Sequence, residues 1–414
     1  MNADIEIRKM FPKQTHKMTR NTRTLFHTIV KRIDAGYQSW KYAQNDIISL
    51  GIERKQHSDF VGRSSYDYIP HEIRSVIEEH PVHQEVFSFF IEKRRFHVAL
   101  ILPTIDPSDP HEYFQEAIQK IYIWLYVITP VIHSGCSETM DIHIFFTDKK
   151  KKLSKIKREP LGEIHVNTAF TTSCKPSTKV HVYRKEEWFK VFMHETFHNL
   201  GLDFSAMNES ISNDIILAHF PIQAPGGIRL YESYCEIWAE IFKTVFISYS
   251  SSKHRPSTKV ILDKIERMLH EEMLFSTFQC VKILNHYDMT YEQLTNIHCP
   301  VSKNARANYK EDSYILSYYI MKCILFSQYN KFIDWCNEHN RVDELGEPMT
   351  GMKVIGFMHT QDNVKEYAEF IVRQSQNPVL LQNISHFEKV LLKIPETHEL
   401  WRSLRMTAPV VLKT

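Results

Sequence analysis

The spacing of apolar residues predicts helices in the first and last parts of the chain. Before residue 135, apolar positions recur every three or four residues in segments 22–35, 70–79 and 111–128. The same spacing returns after residue 185, in segments 186–200, 230–248, 258–275, 312–338 and 363–374. We therefore predict that residues 1–135 are mostly helical and that helices dominate again after residue 185.

Between these stretches the pattern changes to the alternation of β-strands. It occurs in segments 141–147, 164–171 and 179–183. A few strands flanked by helices predict an α+β fold that is mostly helical, with a small central mixed sheet next to the helix 186–200. We divide the chain into a helical N-terminal region (1–135), a central region with the sheet (136–250) and a helical C-terminal region (251–414).

Composition and charge fit a folded intracellular protein. Lys and Arg number 51 against 49 Asp and Glu, a net charge of +2, which argues against an extensive nucleic-acid surface. The first residues lack the apolar core of a secretory signal, and no run of 18 apolar residues predicts a membrane span. Seven scattered cysteines without C-x-x-C predict reduced thiols. We expect a cytoplasmic location, or the host cell or virion if the chain is viral.

Residues 149–158 (KKKKLSKIKR) form a basic run between two predicted strands. Such a run fits a nuclear-import signal or an anion-binding patch. The more common structure is a solvated loop.

One predicted helix carries side chains suited to a metal ion. The motif H-E-x-x-H places His194 and His198 four residues apart, so both imidazoles leave the same face of the helix. Imidazole favours Zn²⁺, and we expect one zinc ion per chain. Glu195 can reach a water on the metal and is predicted to be the general base. The alternative is a pair of core histidines hydrogen-bonded to their neighbours.

The third ligand has two candidate sources, and the first is the loop after the motif. Gly201 is in register with the metzincin pattern, but the ligand position holds Phe204, and Asp203 comes one residue early. A turn or a supporting role suits Asp203 better than ligation.

The second source is the helix 230–248, in which Glu232, Glu236 and Glu240 recur every four residues on one face. Carboxylates placed in this way repel one another unless cations or protons compensate. Solvent exposure is the alternative, although bulky apolar residues lie between them.

The sequence EIWAEIF from Glu236 onward resembles the second-helix motif of thermolysin-type zincins (gluzincins). In that family a ligand Glu is followed four residues later by an acidic residue that orients a ligand His. The resemblance covers roughly residues 160–245. It implies that Glu236 is the metal ligand and Glu240 the supporting carboxylate, with Glu232 as the alternative ligand at the same spacing. The chain departs from the pattern because no Asn precedes Glu236 and because Glu240 replaces Asp.

A longer segment, residues 184–205, is similar to predicted metallopeptidases of large nucleocytoplasmic DNA viruses, which implies a viral source. Together the resemblances imply that residues 136–250 form a zincin-like catalytic core. The expected activity is zinc-dependent peptide hydrolysis, with a protein or peptide as partner and neither a membrane nor nucleic acid. In such enzymes a substrate adds to an edge strand, for which residues 164–171 are the candidate; an ordinary sheet strand is the alternative.

Two other interpretations remain open. One is a structural or virion protein that keeps a zinc site for stability, although such a site does not need Glu195. The other is a nucleic-acid-associated protease, suggested by residues 149–158. An oxyanion could be stabilised by Tyr231, Tyr234 or His219, although packing or surface roles are more common for these residue types.

Overall fold

The computed structural model describes residues 8–12, 16–56, 68–106, 108–224, 226–251, 257–296, 298, 300–340 and 351–408. Within these residues the fold is α+β, as predicted, with helices dominant. The helices are α1 Arg20–Ala43, α2 His71–Glu79, α3 Pro110–Ile128, α4 Glu163–Val166, α5 Trp188–Asn199, α6 Ser210–His219, α7 Leu230–Ser250, α8 Thr258–His286, α9 Tyr291–Thr295, α10 Pro300–Arg306, a π-helix Leu316–Met321, α11 Lys322–Ser327, α12 Tyr329–His339, α13 Gln361–Ser375, α14 Pro378–Leu391 and α15 Glu399–Arg402. None of the helices in the described part of the chain is long and apolar enough to cross a membrane.

One mixed sheet crosses the middle of the molecule. Its strands are β1 Ile48–Ser49, β2 Glu53–Lys55, β3 Val82–Ile91, β4 Arg94–Pro103, β5 Thr139–Phe145, β6 Ala169–Thr171 and β7 Ser177–Val182. The order is β1-β3-β4-β5-β7-β6, and β2 also pairs with β3. The pairs β4–β5 and β5–β7 are parallel, and the other pairs are antiparallel. The predicted mixed sheet next to the motif helix is thus confirmed, although it is larger than expected.

The prediction that residues 1–135 are mostly helical is wrong between residues 82 and 103. Strands β3 and β4 form a hairpin there, and β4 continues the sheet by pairing with β5. Residues 98–102 of β4 are all buried, so their apolar run lacks the alternation that identifies a strand with one solvated face. One hydrophobic core includes residues from Met18 to Ala408, so all three regions of the chain contribute to it.

The predicted strand 164–171 is correct only in its second half. Residues 163–166 form the short helix α4, and the strand β6 begins at Ala169. Arg184, which is 2% exposed, holds this bend because its guanidinium donates to Ile164 O at 2.6 Å and Asn167 O at 2.9 Å. Strand β6 lies at the edge of the sheet among the described strands.

A disulfide joins Cys136 to Cys174, which contradicts the prediction that all cysteines are reduced thiols. The cause is the register of two neighbouring parallel strands. Thr139 of β5 pairs with Ser177 of β7, and each cysteine stands three residues earlier, so the two loops enter the sheet side by side. Four other cysteines are buried as free thiols, namely Cys235, Cys280, Cys323 and Cys336; Cys299 lies outside the described residues.

Candidate metal centre

Helices α5 and α7 pack against each other and bring the predicted site residues together. Ten consecutive residues of α5, from position 190 to position 199, are buried, because the helix lies between the sheet and α7. Its apolar side chains cover most of its surface, and Lys190, His194 and His198 turn towards the acidic face of α7. A hydrogen bond from Trp124 Nε1 to Thr196 Oγ1, 2.9 Å long, ties α5 to α3.

Three side chains converge on one point between the two helices. His194 Nε2 lies 3.0 Å from Glu232 Oε2 and 3.3 Å from His198 Nε2, and the third side of the triangle, from His198 Nε2 to Glu232 Oε2, is 3.6 Å. Ligand atoms about 2.0–2.1 Å from a tetrahedral zinc ion are about 3.3–3.4 Å apart, so this triangle has the size that such an ion requires. All three residues are buried and could hold a metal ion.

Glu232, and not the predicted ligand Glu236, lies with the two Nε2 atoms in the group that could hold a metal ion. Glu236 Oε1 lies 3.0 Å from Nδ1 of His194, on the opposite side of the imidazole from the three-atom cluster. Both carboxylate oxygens of Glu236 also accept hydrogen bonds from the buried Lys190. Glu236 therefore supports His194 from behind, and the alternative ligand of the sequence analysis, Glu232, completes the triangle.

Asp203 supports the second histidine in the same way. Its carboxylate is hydrogen-bonded to Nδ1 of His198, which leaves Nε2 of that ring directed at His194 and Glu232. Gly201, with φ +66°, makes the turn that brings Asp203 back to the helix, and Cys235 of α7 lies 3.7 Å from the same carboxylate. Asp203 is thus placed for the supporting role that the sequence analysis preferred for it, and a carboxylate behind each histidine would fix which nitrogen faces a bound metal.

The acidic face of α7 is neutralised by buried lysines, except at Glu232. Glu236 is paired with Lys190, and Glu240 lies 2.8 Å from Lys243 and 3.4 Å from Lys322. In the part of the chain that the structure describes, Glu232 is paired with the two imidazoles instead. Since an isolated buried carboxylate is costly, the charge pattern leaves Glu232 as the member of the face that is suited to a cation.

The electrostatics of the cluster favour charge separation in the absence of a metal. Burial disfavours the charged form of His194, but the carboxylates of Glu232 and Glu236 outweigh it and raise the His194 pKa to about 8. Burial also opposes the ionised form of Glu232, yet the two histidines lower its pKa to about 2. The site therefore keeps a carboxylate ready for a cation, and a metal would replace the protons on the imidazoles.

Glu195 lies beside the ligand cluster and not within it. Its side chain is 8% exposed and lines a small cavity together with His194, Glu236 and the segment 166–169. Burial raises the pKa of Glu195, against the opposing charges of His194 and His198. The cavity measures about 40 Å³, which is room for about one water molecule.

Two elements that the sequence analysis did not connect with the site close this cavity. Tyr318 belongs to the π-helix, and its ring centroid lies 6.2 Å from that of His194. Met406 lines the cavity as well; its carbonyl accepts from Lys322 at 2.8 Å, and its N–H donates to Glu187 at 3.0 Å. The lysines within apolar helical segments, Lys190, Lys243 and Lys322, were the signal in the sequence for such a charged surrounding.

The three candidates for oxyanion stabilisation are not equally placed. The Tyr234 hydroxyl donates to Ile355 O at 2.6 Å, and His219 is hydrogen-bonded to the Ser375 hydroxyl. Tyr231 packs edge-on to His198, with ring centroids 5.7 Å apart, and its hydroxyl accepts from Arg229. Of these three, Tyr231 alone contacts the group formed by His194, His198 and Glu232. Tyr318, which lines the cavity, is a further candidate.

A scan against protein-family models found no match to the chain, and searches of the curated proteins and of the solved structures also found none.

Proposed function

We propose that the protein is a zinc-dependent peptidase. One observation carries the proposal: His194, His198 and Glu232 form a triangle of metal-ligand size, and a carboxylate stands behind each histidine. The group contributes three ligands, so a tetrahedral ion would keep one position for water, as catalytic zinc sites do. The resemblance to gluzincins supports the same conclusion, because Glu232 and Glu236 have the spacing of the ligand and the supporting acid in that family.

Each step of the proposed hydrolysis is assigned to particular residues of the chain. When bound, Zn²⁺ would supply a Lewis acid that activates water near neutral pH. Glu195, in the adjoining cavity, is the base that takes the proton from this water and passes it to the leaving amine. Glu236 and Asp203 hold the two imidazoles in the tautomer that presents Nε2. Tyr318, which lines the cavity, and Tyr231, which packs against His198, are the candidates for stabilising the oxyanion.

The small cavity is the observation that favours the second candidate, a structural or virion protein with a retained zinc site. About 40 Å³ accommodates water but is too small to enclose a peptide. A peptidase must therefore bind its substrate across the mouth of the cavity or move part of the wall, whereas a scaffold needs neither. Glu195 favours the enzyme, because it is buried beside the cluster without being needed to hold a metal.

A single substitution separates the two functions. Glu195→Gln should keep one zinc per chain and an unchanged unfolding profile, but lower peptide hydrolysis about 10²–10⁴-fold, because an amide cannot accept the proton of water. Zinc is measured by elemental analysis and cleavage by mass spectrometry of a peptide library. His194→Ala, as a control, should lose both zinc and activity. Absence of cleavage by zinc-loaded wild type would favour the scaffold, and equal cleavage by Glu195→Gln would refute the mechanism.

A further inference from the structure

A second, larger cavity adjoins the candidate catalytic cavity. It measures about 860 Å³, against about 40 Å³ beside Glu195. No lining residue is common to the two cavities, but the same two segments of the chain pass between them. Lys151 and residues 166–169 line the smaller cavity, whereas residues 148–150, 152–155, 164 and 165 line the larger one. We call the larger one the basic groove. Its cationic lining residues are Lys149, Lys150, Lys152, Lys155, Arg184 and Arg402.

The basic groove concentrates charge that the chain as a whole does not have. Its lining has six cations and three acids, namely Glu72, Asp148 and Glu399, a surplus of three positive charges. The complete chain of 414 residues has a net charge of only +2. An anion in this groove would therefore meet a local positive potential that is absent from the average surface.

The backbone that carries these lysines is fixed to the site. Arg184 donates to Lys149 O at 3.0 Å as well as to the segment 164–167, so one buried guanidinium ties both segments together. Lys151 turns inward, where its Nζ lies 2.5 Å from Glu187. Its neighbours Lys150 and Lys152 are exposed and line the groove, as expected for an extended segment in which successive side chains alternate.

We infer that the basic groove binds clustered carboxylates of the peptide substrate, so that the peptidase prefers acidic sequences next to the bond it cleaves. This inference rests on the proposed function. Residues 166–169 line the cavity of Glu195 and the preceding residues 164 and 165 line the groove, so a peptide that lies along the edge strand β6 and extends beyond residue 166 would reach the groove. Exposed ion pairs add little individually, but several lysines on one wall can select for charge.

The groove fits an acidic peptide better than nucleic acid. The basic run does not continue as one cationic face, because Arg158 is paired with Asp288 at 2.6 Å and Lys157 donates to Asn285. Three acids also line the groove, so its surplus of cations is small, whereas nucleic-acid binding draws on many cation–phosphate contacts.

The test compares two groups of cations from the same run in the full-length, zinc-loaded protein. The variant Lys149→Gln/Lys152→Gln/Lys155→Gln removes three cations of the groove. The control Lys157→Gln/Arg158→Gln removes two cations that point elsewhere. All five side chains are exposed, so both variants should fold, which thermal unfolding checks. The probes are a fluorescent decapeptide with four glutamates and its counterpart with four glutamines.

An exposed ion pair changes affinity about 1.4- to 5-fold, so loss of three should weaken binding of the glutamate peptide about 3- to 150-fold. The glutamine peptide and the control variant should change less than about twofold, and the difference should shrink at high salt. Equal binding of both peptides by wild type would overturn the inference. So would tighter binding of a ten-nucleotide single strand that depends on the same lysines.

Failure of the acidic preference and failure of the proposed peptidase activity give different results in this test. If the glutamate peptide binds through the three lysines but is never cleaved, the groove is supported and the peptidase is not. If wild type cleaves both peptides with equal kcat/KM, the peptidase is supported and the acidic preference is refuted. If the groove variant lowers kcat/KM for the glutamate peptide alone, both are supported.

Discussion

Two isosteric substitutions one helical turn apart should have opposite consequences. Glu232→Gln and Glu236→Gln each remove one negative charge from the same face of α7. In the structure Glu232 faces Nε2 of His194 and His198, whereas Glu236 faces Nδ1 of His194 and Lys190. The first change should therefore affect the metal, and the second should affect the fold.

The magnitudes follow from the partners left behind. Lys190 is 2% exposed, and loss of Glu236 leaves its ammonium as a buried charge without its main partner, which costs about 3–5 kcal/mol. Zinc affinity should fall only about 10- to 100-fold, as is usual when a supporting carboxylate is removed. Loss of Glu232 should abolish tight zinc binding, but it should cost the metal-free fold only about 1–3 kcal/mol, because two imidazoles can become neutral.

The assay is zinc content after dialysis, followed by urea unfolding in the presence of a chelator. The double variant Lys190→Met/Glu236→Gln is the control, because it removes both charges and should recover much of the stability lost in Glu236→Gln. If Glu236→Gln loses zinc as completely as Glu232→Gln while its unfolding free energy is unchanged, then Glu236 is the ligand and our interpretation of the site is wrong.

Three further outcomes are expected. Asp203→Asn should weaken zinc binding about 10- to 100-fold in a chelator competition but keep the stoichiometry; unchanged affinity would remove its supporting role. Burial lowers the pKa of His143 to about 4 and of His181 to about 3, from 6.5. The unfolding free energy should therefore have its full contribution from these two histidines above pH 6.5. It should fall as the pH drops below 6.5, because the unfolded chain then binds more protons than the folded one. An unfolding free energy that does not change with pH in urea titrations would contradict this. Gly201→Ala should lose at least about 1–3 kcal/mol because of its positive φ and a disulfide sulphur 2.8 Å from the new methyl, whereas Gly226→Ala, with open space around it, should unfold like wild type.

Local spacing was enough to predict the part of the site that lies on one helix. His194 and His198 share a face wherever the helix packs, and the acidic stripe of α7 follows from the same four-residue rule. The choice between Glu232 and Glu236 depends on how far α7 is displaced along α5. A shift of one turn, about 5.4 Å, exchanges the two carboxylates without changing either helix. The spacing of residues within either helix does not determine this displacement, which is set by tertiary packing.

The errors elsewhere have a similar cause. Strand β4 is buried on both faces, so its run of apolar residues carries no alternation. The disulfide depends on the parallel pairing of β5 with β7, which brings together cysteines separated by 38 residues. Met406 and Tyr318 reach the cavity from distant segments that contain no motif. Each of these features is a contact between elements, whereas the sequence patterns describe single elements.

The position of Met406 in the cavity wall has a consequence for the order of synthesis. Met406 follows Lys190 by 216 residues, so at about 5–20 residues per second a ribosome needs roughly 10–40 s to make the later partner after the earlier one. During that time helix α5 already carries its histidines, but the wall and the hydrogen bonds to Glu187 are unmade. The H-E-x-x-H motif is thus exposed on the nascent chain well before the cavity wall is complete, and the distant contacts that complete it should make this step of folding slow.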